Sequence, residues 1–269
     1  MRRGLAQNRQ EAQEAVGAGR VLVAGSVADK ASRLVGAGEA LVLRGPRPKF
    51  VSRGGLKLEA ALTRFDLDVA GLTTLDAGAS TGGFTDCLLR RGAARVTAVD
   101  VGYGQLDQRL RQDPRVLVLE RTNIRHLTPE ALTSYPRPGP WSPVDLLTAD
   151  LSFISLTLVA PVLAGPLLHP GGTLVLLVKP QFEAGRAEAA RGKGVVRDPG
   201  IWRRTLGEVA SALDGAGAAI MGAMASPVAG PAGNIEFLLW ARAGAAPTGA
   251  ALDQALDDAV AEALAMNRD

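Results

Sequence analysis

Between residues 73 and 213 the chain alternates short apolar runs with segments that favour helix. The runs are continuous in Val, Leu and Ala, which is typical of parallel strands that are buried on both faces. Strands alternating with helices form βαβ units. The sequence therefore predicts an α/β fold with a doubly wound parallel sheet. The predicted strands are 73–78, 94–100, 116–120, 144–150 and 173–179, and the predicted helices are 83–91, 105–111, 155–163 and 199–213.

The remaining segments predict two smaller parts and a closing hairpin. Apolar runs at 220–227 and 236–242, joined by a Gly/Pro-rich stretch, favour a hairpin at the end of the sheet. A helix over 7–18 and strands over 20–25 and 39–43 predict a small α+β unit at the front. Prolines in 45–48 cannot join a strand ladder and mark a linker. We expect a front domain at 1–45, a linker at 46–52, a main domain at 53–245 and an acidic C-terminal helix in 246–269.

Charge is unevenly distributed along the chain. Residues 1–58 hold 11 Lys and Arg against 4 Asp and Glu, whereas residues 245–269 hold 1 against 5. Lys and Arg side chains gain affinity for nucleic acids by releasing counterions from phosphates. The basic excess therefore predicts that the front domain contacts a polyanion, and the alternative is an ordinary solvated surface.

Several classes of protein are disfavoured by residue counts. The chain holds one cysteine, Cys87, which cannot form an intramolecular disulfide, and two histidines, His126 and His169. Two histidines cannot build a His-rich zinc site, so we expect no metal. The N-terminal residues lack the apolar segment of a secretory signal, and no apolar run is long enough to span a bilayer. These features predict a cytoplasmic protein.

A glycine-rich turn follows the first strand of the main domain, in the segment Leu75-Asp-Ala-Gly-Ala-Ser-Thr-Gly-Gly-Phe84. Such a turn lets a ligand approach the backbone and directs helix N-terminal N–H groups towards it. Asp100 lies 24 positions after Asp76, close to the spacing at which a carboxylate reaches ribose hydroxyls. NAD and S-adenosyl-L-methionine both fit this arrangement. Asp76 would repel a pyrophosphate and attract an ammonium group, which favours S-adenosyl-L-methionine.

Further contacts to this cofactor follow from position in the predicted sheet. Open α/β sheets bind ligands at the carboxyl ends of their strands. We expect polar side chains there to hold the methionine end (Ser80 and Thr81) and the adenine (Asn123), and Tyr103 to pack beside the ribose. The full predicted set is Asp76, Gly78, Ser80, Thr81, Gly82, Gly83, Asp100, Tyr103, Asn123 and Asp150.

Several long motifs together carry a resemblance to a known family. They are Phe50-Val-Ser-Arg-Gly-Gly-Leu-Lys57, the glycine-rich segment from Leu75 to Thr85, Asp100-Val-Gly-Tyr-Gly-Gln105, Ala149-Asp-Leu-Ser-Phe-Ile-Ser155 and Val178-Lys-Pro-Gln-Phe-Glu183. Nearly the whole chain resembles the TlyA type, or haemolysin A, family within the FtsJ-like group of RNA ribose 2'-O-methyltransferases. The resemblance implies a Rossmann-like methyltransferase sheet behind a small S-four-type RNA-binding domain. It also implies methylation of cytidine 2'-hydroxyls in small- and large-subunit ribosomal RNA.

The resemblance implies a catalytic set of Lys57, Asp150, Lys179 and Glu236. Asp150 and Lys179 also fall at the carboxyl ends of predicted strands, where ligands bind. We expect Lys57 to open the helix before the first strand and Glu236 to open the last strand. Lys179 is the expected base, because neighbouring cations in a dry pocket would favour its neutral form. Asp150 would orient that amine, while Lys57 and Glu236 would position the hydroxyl.

Basic residues in two regions are expected to contact RNA phosphates, largely without sequence preference. Those in or near the front domain are Arg2, Arg3, Arg9, Arg20 and Arg53, and those in the predicted loop 183–198 are Arg186, Arg191 and Lys193. The front domain begins later than the family pattern does, so its first helix is expected to be shortened or absent.

Three other functions fit part of the sequence. The run Asp150-Leu-Ser-Phe153 resembles the loop with which amino-group methyltransferases hold an exocyclic amine, but its prolines are missing and Lys179 is present. A haemolysin-like membrane-active protein would need a basic amphipathic helix, which the sequence lacks. A non-catalytic RNA-binding ribosome-assembly factor would not need Asp76, Asp100 and the catalytic set.

Overall fold

The front of the molecule is a small α+β unit in the computed structural model, which describes residues 3, 5, 9–45, 48–135, 141–245 and 249–266. Helix α1 (Arg9–Gly17) precedes three short antiparallel strands, β1 (Val21–Val23), β2 (Ser26–Val27) and β3 (Leu41–Leu43), with β1 in the middle. Ala15, Leu22 and Val23 are buried in this unit. The helix and the two apolar strands β1 and β3 match the prediction, whereas β2 is too short to leave a pattern in the sequence.

The body of the molecule is a seven-stranded sheet. Its strands lie in the order β6-β5-β4-β7-β8-β10-β9, and all neighbours from β6 to β8 are parallel. The chain builds outward from β4 to β6 and then returns to place β7 on the other side of β4. A crevice therefore opens at the carboxyl ends of β4 and β7. The strands are β4 (Thr73–Ala77), β5 (Arg95–Val99), β6 (Val116–Leu119), β7 (Val144–Ala149), β8 (Leu168–Val178), β9 (Ala218–Ala225) and β10 (Phe237–Ala243).

Helices cover both faces of this sheet. One face packs on α2 and α3 through a core that includes Leu58, Leu88 and Leu146, and the other packs on α6, α9 and α10 through Trp202 and Phe237. The helices are α2 (Gly54–Arg64), α3 (Gly83–Arg90), α4 (Gln108–Arg111), α5 (Pro129–Thr133), α6 (Leu156–Leu163), α7 (Pro180–Glu183), α8 (Arg186–Arg191), α9 (Pro199–Gly215) and α10 (Ala250–Met266). The predicted α/β architecture is therefore confirmed.

The predicted hairpin forms the end of the sheet. Strands β9 and β10 are antiparallel as expected, and β10 lies between β8 and β9, so that β9 is the edge strand. Lys57 lies within the first turn of α2, as expected. Two local predictions are corrected: Glu236 directly precedes β10 instead of opening it, and the predicted loop 183–198 contains helix α8.

Asp76 lies at the centre of the packing between β4, β7 and α3. Its carboxylate is fully buried and accepts hydrogen bonds from Thr85 Oγ1 at 2.7 Å and Thr148 Oγ1 at 3.1 Å. Burial raises the pKa of Asp76 to about 7, although both hydroxyl donors act in the opposite direction. Asp76 therefore ties three elements together at the base of the glycine-rich turn.

Among the described residues, no helix combines the length and apolar character that crossing a bilayer requires. The same part of the chain contains no group of three or more His, Cys, Asp or Glu side chains that could hold a metal ion.

The raised pKa of Asp76 predicts a pH-dependent stability. The protonated carboxyl is favoured by the folded state, so its contribution is fully present below the unfolded pKa of 3.8 and is lost as the pH rises through about 7. The Asp76→Asn variant is neutral at every pH and lacks this term. Its free energy of unfolding should therefore improve relative to wild type between about pH 5 and pH 8.

Thermal unfolding of both proteins across this range checks the expectation, with Asp214→Asn, which replaces an exposed carboxylate of α9, as the matched variant. A wild-type advantage over Asp76→Asn that grew with pH would contradict the assigned direction.

Candidate active site

The glycine-rich turn after β4 is shaped by close backbone contacts. Gly78 has a φ of +82°, and a Cβ there would lie 2.5 Å from the carbonyl oxygen of Asp150. Gly82 has a φ of +96°, and a Cβ there would lie 2.2 Å from Leu110 Cδ1. Ser80 adopts a φ of +48°, which is uncommon for a residue other than glycine. The turn is therefore held in one conformation by its neighbours, at the end of β4.

Asp100, directly after β5, fixes this turn from the adjacent strand. Its Oδ2 accepts the Ser80 N–H at 2.7 Å, and its Oδ1 accepts the Gly102 N–H at 2.6 Å. The carboxylate also lines a large cavity at the carboxyl ends of the strands. Asp100 thus combines a structural role in the turn with a position open to a ligand.

The large cavity has a volume of about 1010 Å³, which is the size of a cofactor or drug-sized ligand site. It is lined by five of the predicted cofactor residues, namely Gly78, Ser80, Asp100, Asn123 and Asp150. Asn123 Oδ1 accepts the backbone N–H of Arg125 at 3.0 Å, which leaves its amide nitrogen for a ligand. The charged side chains around this cavity are Asp100, Asp150 and Arg125. Two carboxylates and one guanidinium fit a positively charged cofactor better than a pyrophosphate.

Other predicted cofactor residues do not line this cavity. Thr81 and Gly83 line a smaller neighbouring cavity instead, and Gly82 lines neither. Asp76 lies behind the turn, enclosed by the two threonine hydroxyls. Tyr103 is 68% exposed, and the Arg121 guanidinium lies 4.3 Å from its ring centroid.

The smaller cavity, of about 220 Å³, brings together all four residues of the expected catalytic set. Lys57 comes from α2, Asp150 and Lys179 directly follow β7 and β8, and Glu236 directly precedes β10. Gly78, Ser80, Asp150 and Ser152 line both cavities, so the two compartments adjoin. This arrangement places a large ligand site next to a small polar chamber, with Asp150 between them.

The four residues form two ion pairs. Lys57 Nζ donates to Glu236 Oε2, and both side chains are buried. Lys179 Nζ lies 2.6 Å from Asp150 Oδ1 and donates to Ser152 Oγ at 2.9 Å. The charged neighbour of Lys179 is therefore a carboxylate, whereas cations were expected beside it from the sequence. The Lys57–Glu236 pair is buried, while Asp150 of the second pair is partly exposed. Burying an ion pair carries a large desolvation cost, which points to a chemical role rather than a stabilising one.

Two aromatic side chains at the cavity mouth were not predicted from the sequence. Phe153 is 91% exposed and has a φ of +64°, a strained conformation for a bulky residue. Its ring packs against that of Phe182, with centroids 5.0 Å apart. An apolar residue after a strand is normally expected to be buried, so the sequence alone carries little signal for this exposure.

A buried asparagine holds the basic segment after α8. Asn234 Oδ1 accepts the Val196 N–H at 2.9 Å, and its Nδ2 donates to the Gly194 carbonyl at 2.8 Å. Asn234 is 2% exposed and lies two residues before Glu236. The anchored segment, defined as residues 191–196, begins at the last residue of α8 and carries the exposed residues Arg191 and Lys193. The two bonds of Asn234 hold it close to the chain that supplies Glu236.

The other predicted RNA-binding residues have different settings. Arg3 donates to the carbonyl oxygens of Gly36, Ala37 and Glu39, so it holds a loop of the front unit. Arg53 is exposed and lines the smaller cavity, and Arg20 is partly buried after α1. Arg9 and Arg186 lie at the first positions of α1 and α8, and Arg2 lies outside the described residues.

Comparison with known proteins places this geometry in a family. Residues 50–243 match the family described as FtsJ-like methyltransferase, and residues 2–41 match the S4 domain. A Mycobacterium tuberculosis protein named 16S/23S rRNA (cytidine-2'-O)-methyltransferase TlyA is 49% identical over 266 residues, which are 98% of this chain and 94% of that protein.

Solved structures agree with this placement. A Streptococcus thermophilus structure named "Putative hemolysin" matches with a TM-score of 0.77 and 39% identity, covering 100% of this chain and 96% of its own. An S-adenosylmethionine dependent methyltransferase from Mesorhizobium loti matches with a TM-score of 0.50 and 19% identity, over 68% of this chain and 96% of its own, and shares the fold. The chain therefore belongs to the TlyA family of FtsJ-like methyltransferases.

Proposed function

We propose that this protein transfers a methyl group from S-adenosyl-L-methionine to the ribose 2'-hydroxyl of cytidines in small- and large-subunit ribosomal RNA. The observation that carries the proposal is the junction of the two cavities at Asp150. A cofactor in the large cavity would present its reactive end to the chamber that holds Lys57, Lys179 and Glu236. The name of the 49% identical relative supports the choice of ribosomal RNA and cytidine.

The large cavity supplies suitable partners for the cofactor. The Asp100 carboxylate would accept hydrogen bonds from the ribose hydroxyls, Asn123 would bind the adenine, and the Ser80 hydroxyl would bind the methionine end. When bound, the cofactor supplies an activated methyl group on a positively charged sulfur. The carboxylates of Asp100 and Asp150 favour that positive charge over the anionic phosphates of a dinucleotide. Thr81, which lines the smaller cavity, would contact the methionine end from that side.

Lys179 is the proposed base for the 2'-hydroxyl. A protonated lysine has three donors and no acceptor, so Lys179 can take the hydroxyl proton only as the neutral amine. Asp150 holds its Nζ at 2.6 Å, and Ser152 holds it at 2.9 Å, which directs the amine into the smaller cavity. Lys57 and Glu236 position the hydroxyl and each other through their buried ion pair. Orientation of the hydroxyl against the methyl group contributes most, since the leaving group is already activated.

Binding of ribosomal RNA is assigned to the front domain and the rim of the smaller cavity. The proposed division of the chain is an S4 domain at 1–45, a linker at 46–52, a methyltransferase domain at 53–245 and the acidic helix in 246–269. Arg53, which lines the smaller cavity, and the exposed Arg191 and Lys193, which lie near the chain that supplies Glu236, would neutralise phosphates. The exposed Phe153 ring adds a surface on which an unpaired base can stack.

The decisive experiment uses purified protein, labelled S-adenosyl-L-methionine and isolated ribosomal subunits. Methyl transfer to the 2'-hydroxyl makes the adjacent phosphodiester resistant to alkali, which locates the modified nucleotide. We expect labelled, alkali-resistant cytidines. Label on a base amino group would instead identify an amino-group methyltransferase, and cofactor binding without transfer would point to a ribosome-assembly factor. Release of liposome contents by the cofactor-free protein would support a membrane-active function instead.

Replacing the proposed base should stop methyl transfer. In Lys179→Ala we expect a loss of roughly 10²–10⁴-fold in the single-turnover rate, the usual contribution of a general base. Lys179→Arg retains a cation next to Asp150 but no accessible neutral form, so it should be equally slow. Calorimetry should find S-adenosyl-L-methionine binding within a few-fold of wild type in both variants.

The control is Arg204→Ala, which removes a cation that pairs with Glu188 and Glu208 on the protein surface. It should transfer methyl groups at the wild-type rate. An active Lys179→Ala enzyme would rule out the assigned base while leaving the methyltransferase activity itself intact.

Neutralising the cations of the anchored segment should weaken RNA binding. For Arg191→Gln and Lys193→Gln we expect the slope of log affinity against log salt to fall by about 1 for each phosphate that is no longer neutralised. Filter binding of ribosomal subunits at several salt concentrations measures this slope. Arg115→Gln is the matched variant, because Arg115 pairs with Asp113 at the opposite edge of the sheet. Equal slopes in all three variants would exclude this segment from the interface.

A further inference from the structure

The two segments that carry Asp150 and Lys179 contact each other at three points along their length. The segment 150–156, after β7, carries Asp150, and the segment 179–183, after β8, carries Lys179. Lys179 contacts the start of the first segment through Asp150 and Ser152. Phe182 packs against Phe153 in the middle. A third contact, made by Glu183, closes the far end of this pair of segments.

Glu183 makes two hydrogen bonds across this junction. Its Oε1 accepts the Leu156 N–H at 2.9 Å, and its Oε2 accepts the Ser155 hydroxyl at 2.5 Å. Ser155 is the N-cap of α6, and its Oγ also accepts the Thr157 N–H at 3.1 Å. Glu183 therefore fastens the beginning of α6 to the segment that starts at Lys179. Burial raises the pKa of Glu183, while the Leu156 and Ser155 donors lower it.

The backbone between the two attachment points is strained. Phe153 has a left-handed φ of +64°, and its side chain is 91% exposed, so burial of its ring does not compensate for the conformation. Such a conformation persists only when its surroundings enforce it. Lys179 fixes the chain on one side of Phe153, through Ser152, and Glu183 fixes it on the other, through Ser155. The backbone of Asp150 is held separately by the Ala77 carbonyl, so release of the Glu183 end would act on Ser152 and, through its contact with Nζ, on the position of Lys179 relative to Asp150.

We propose that Glu183 is a positioning residue that holds the segment 150–156 in its strained conformation and thereby sets the Asp150–Lys179 contact for methyl transfer. The inference rests on the proposed function for its catalytic consequence. Glu183 lines neither cavity, so it acts through Asp150 and Lys179 rather than on the substrate.

The test compares Glu183→Ala with Glu183→Gln. The glutamine keeps an acceptor for the Leu156 N–H and can donate to Ser155, whereas the alanine keeps neither contact. At saturating cofactor and ribosomal subunits, we expect the single-turnover rate of Glu183→Ala to fall by roughly 10- to 100-fold, the effect of a small misplacement of reacting groups. Glu183→Gln should stay within about threefold of wild type, and substrate affinity should change little in either variant.

Two further measurements separate positioning from general destabilisation. Hydrogen exchange of the Leu156 amide should accelerate in Glu183→Ala and not in Glu208→Gln, a neighbouring carboxylate on α9, while the exchange of the central strands stays unchanged. Ser155→Ala should also be slow, and adding it to Glu183→Ala should cost less than the sum of the two single changes, because both remove the hydrogen bond between Glu183 and Ser155.

The outcomes distinguish this inference from the proposed function. Wild-type protein that transfers no methyl group to ribosomal RNA would overturn the proposed function, yet hydrogen exchange would still test the attachment. An active wild type together with a fully active Glu183→Ala would overturn the positioning role alone. Equal decreases in rate for Glu183→Ala and Glu183→Gln, with lowered melting temperatures in both, would show a merely structural residue.

Discussion

The close approach of β4 to β7 is the constraint on which the site depends. The backbone N–H of Asp150 donates to the Ala77 carbonyl at 2.9 Å, and Gly78 then turns away against the Asp150 carbonyl with no space for a side chain. This contact puts the glycine-rich turn and the acidic end of β7 side by side. The large cavity and the small chamber adjoin because both are built on this one junction.

Electrostatics divide the site into two halves. The large cavity presents two carboxylates and one guanidinium, which suits a cation, while the chamber contains two lysines, each matched by a carboxylate. Paired charges can be buried, whereas isolated ones would be neutralised or expelled. The pairing keeps four ionisable groups within the small volume of the chamber. It also means that removal of one partner leaves the other uncompensated.

Most of the fold was predictable, because the apolar runs and the helix-favouring segments between them correspond to the strands and helices of the observed sheet. Continuous apolar runs ending in Asp150 and Lys179 predict both the parallel strands and the edge at which these side chains meet. The contact between Lys57 and Glu236 is different, because it depends on the insertion of β10 between β8 and β9. No sequence periodicity predicts that insertion. Only the family resemblance predicted that Lys57 and Glu236 belong to one site.

The surroundings of two side chains could not be predicted from sequence patterns. The position of Asp76 before the first glycine predicted a contact with the cofactor's ammonium group, but the sequence does not say what surrounds the side chain, and its carboxylate is enclosed by Thr85 and Thr148. Phe153 is apolar but 91% exposed, with a φ of +64°, and no local pattern indicates either property. The enclosure of Asp76 depends on packing between elements that are distant in sequence.

The buried amide of Asn234 couples the outer surface of the enzyme to its interior. One side chain fixes the basic segment through Gly194 and Val196, and the same stretch of backbone leads within two residues to Glu236. Lys193 and Glu236 therefore lie on two stretches of chain that one buried side chain holds together. A change in the length of the basic segment would disturb the partners of the Asn234 amide, so the surface segment and the chain leading to the buried glutamate cannot be altered independently.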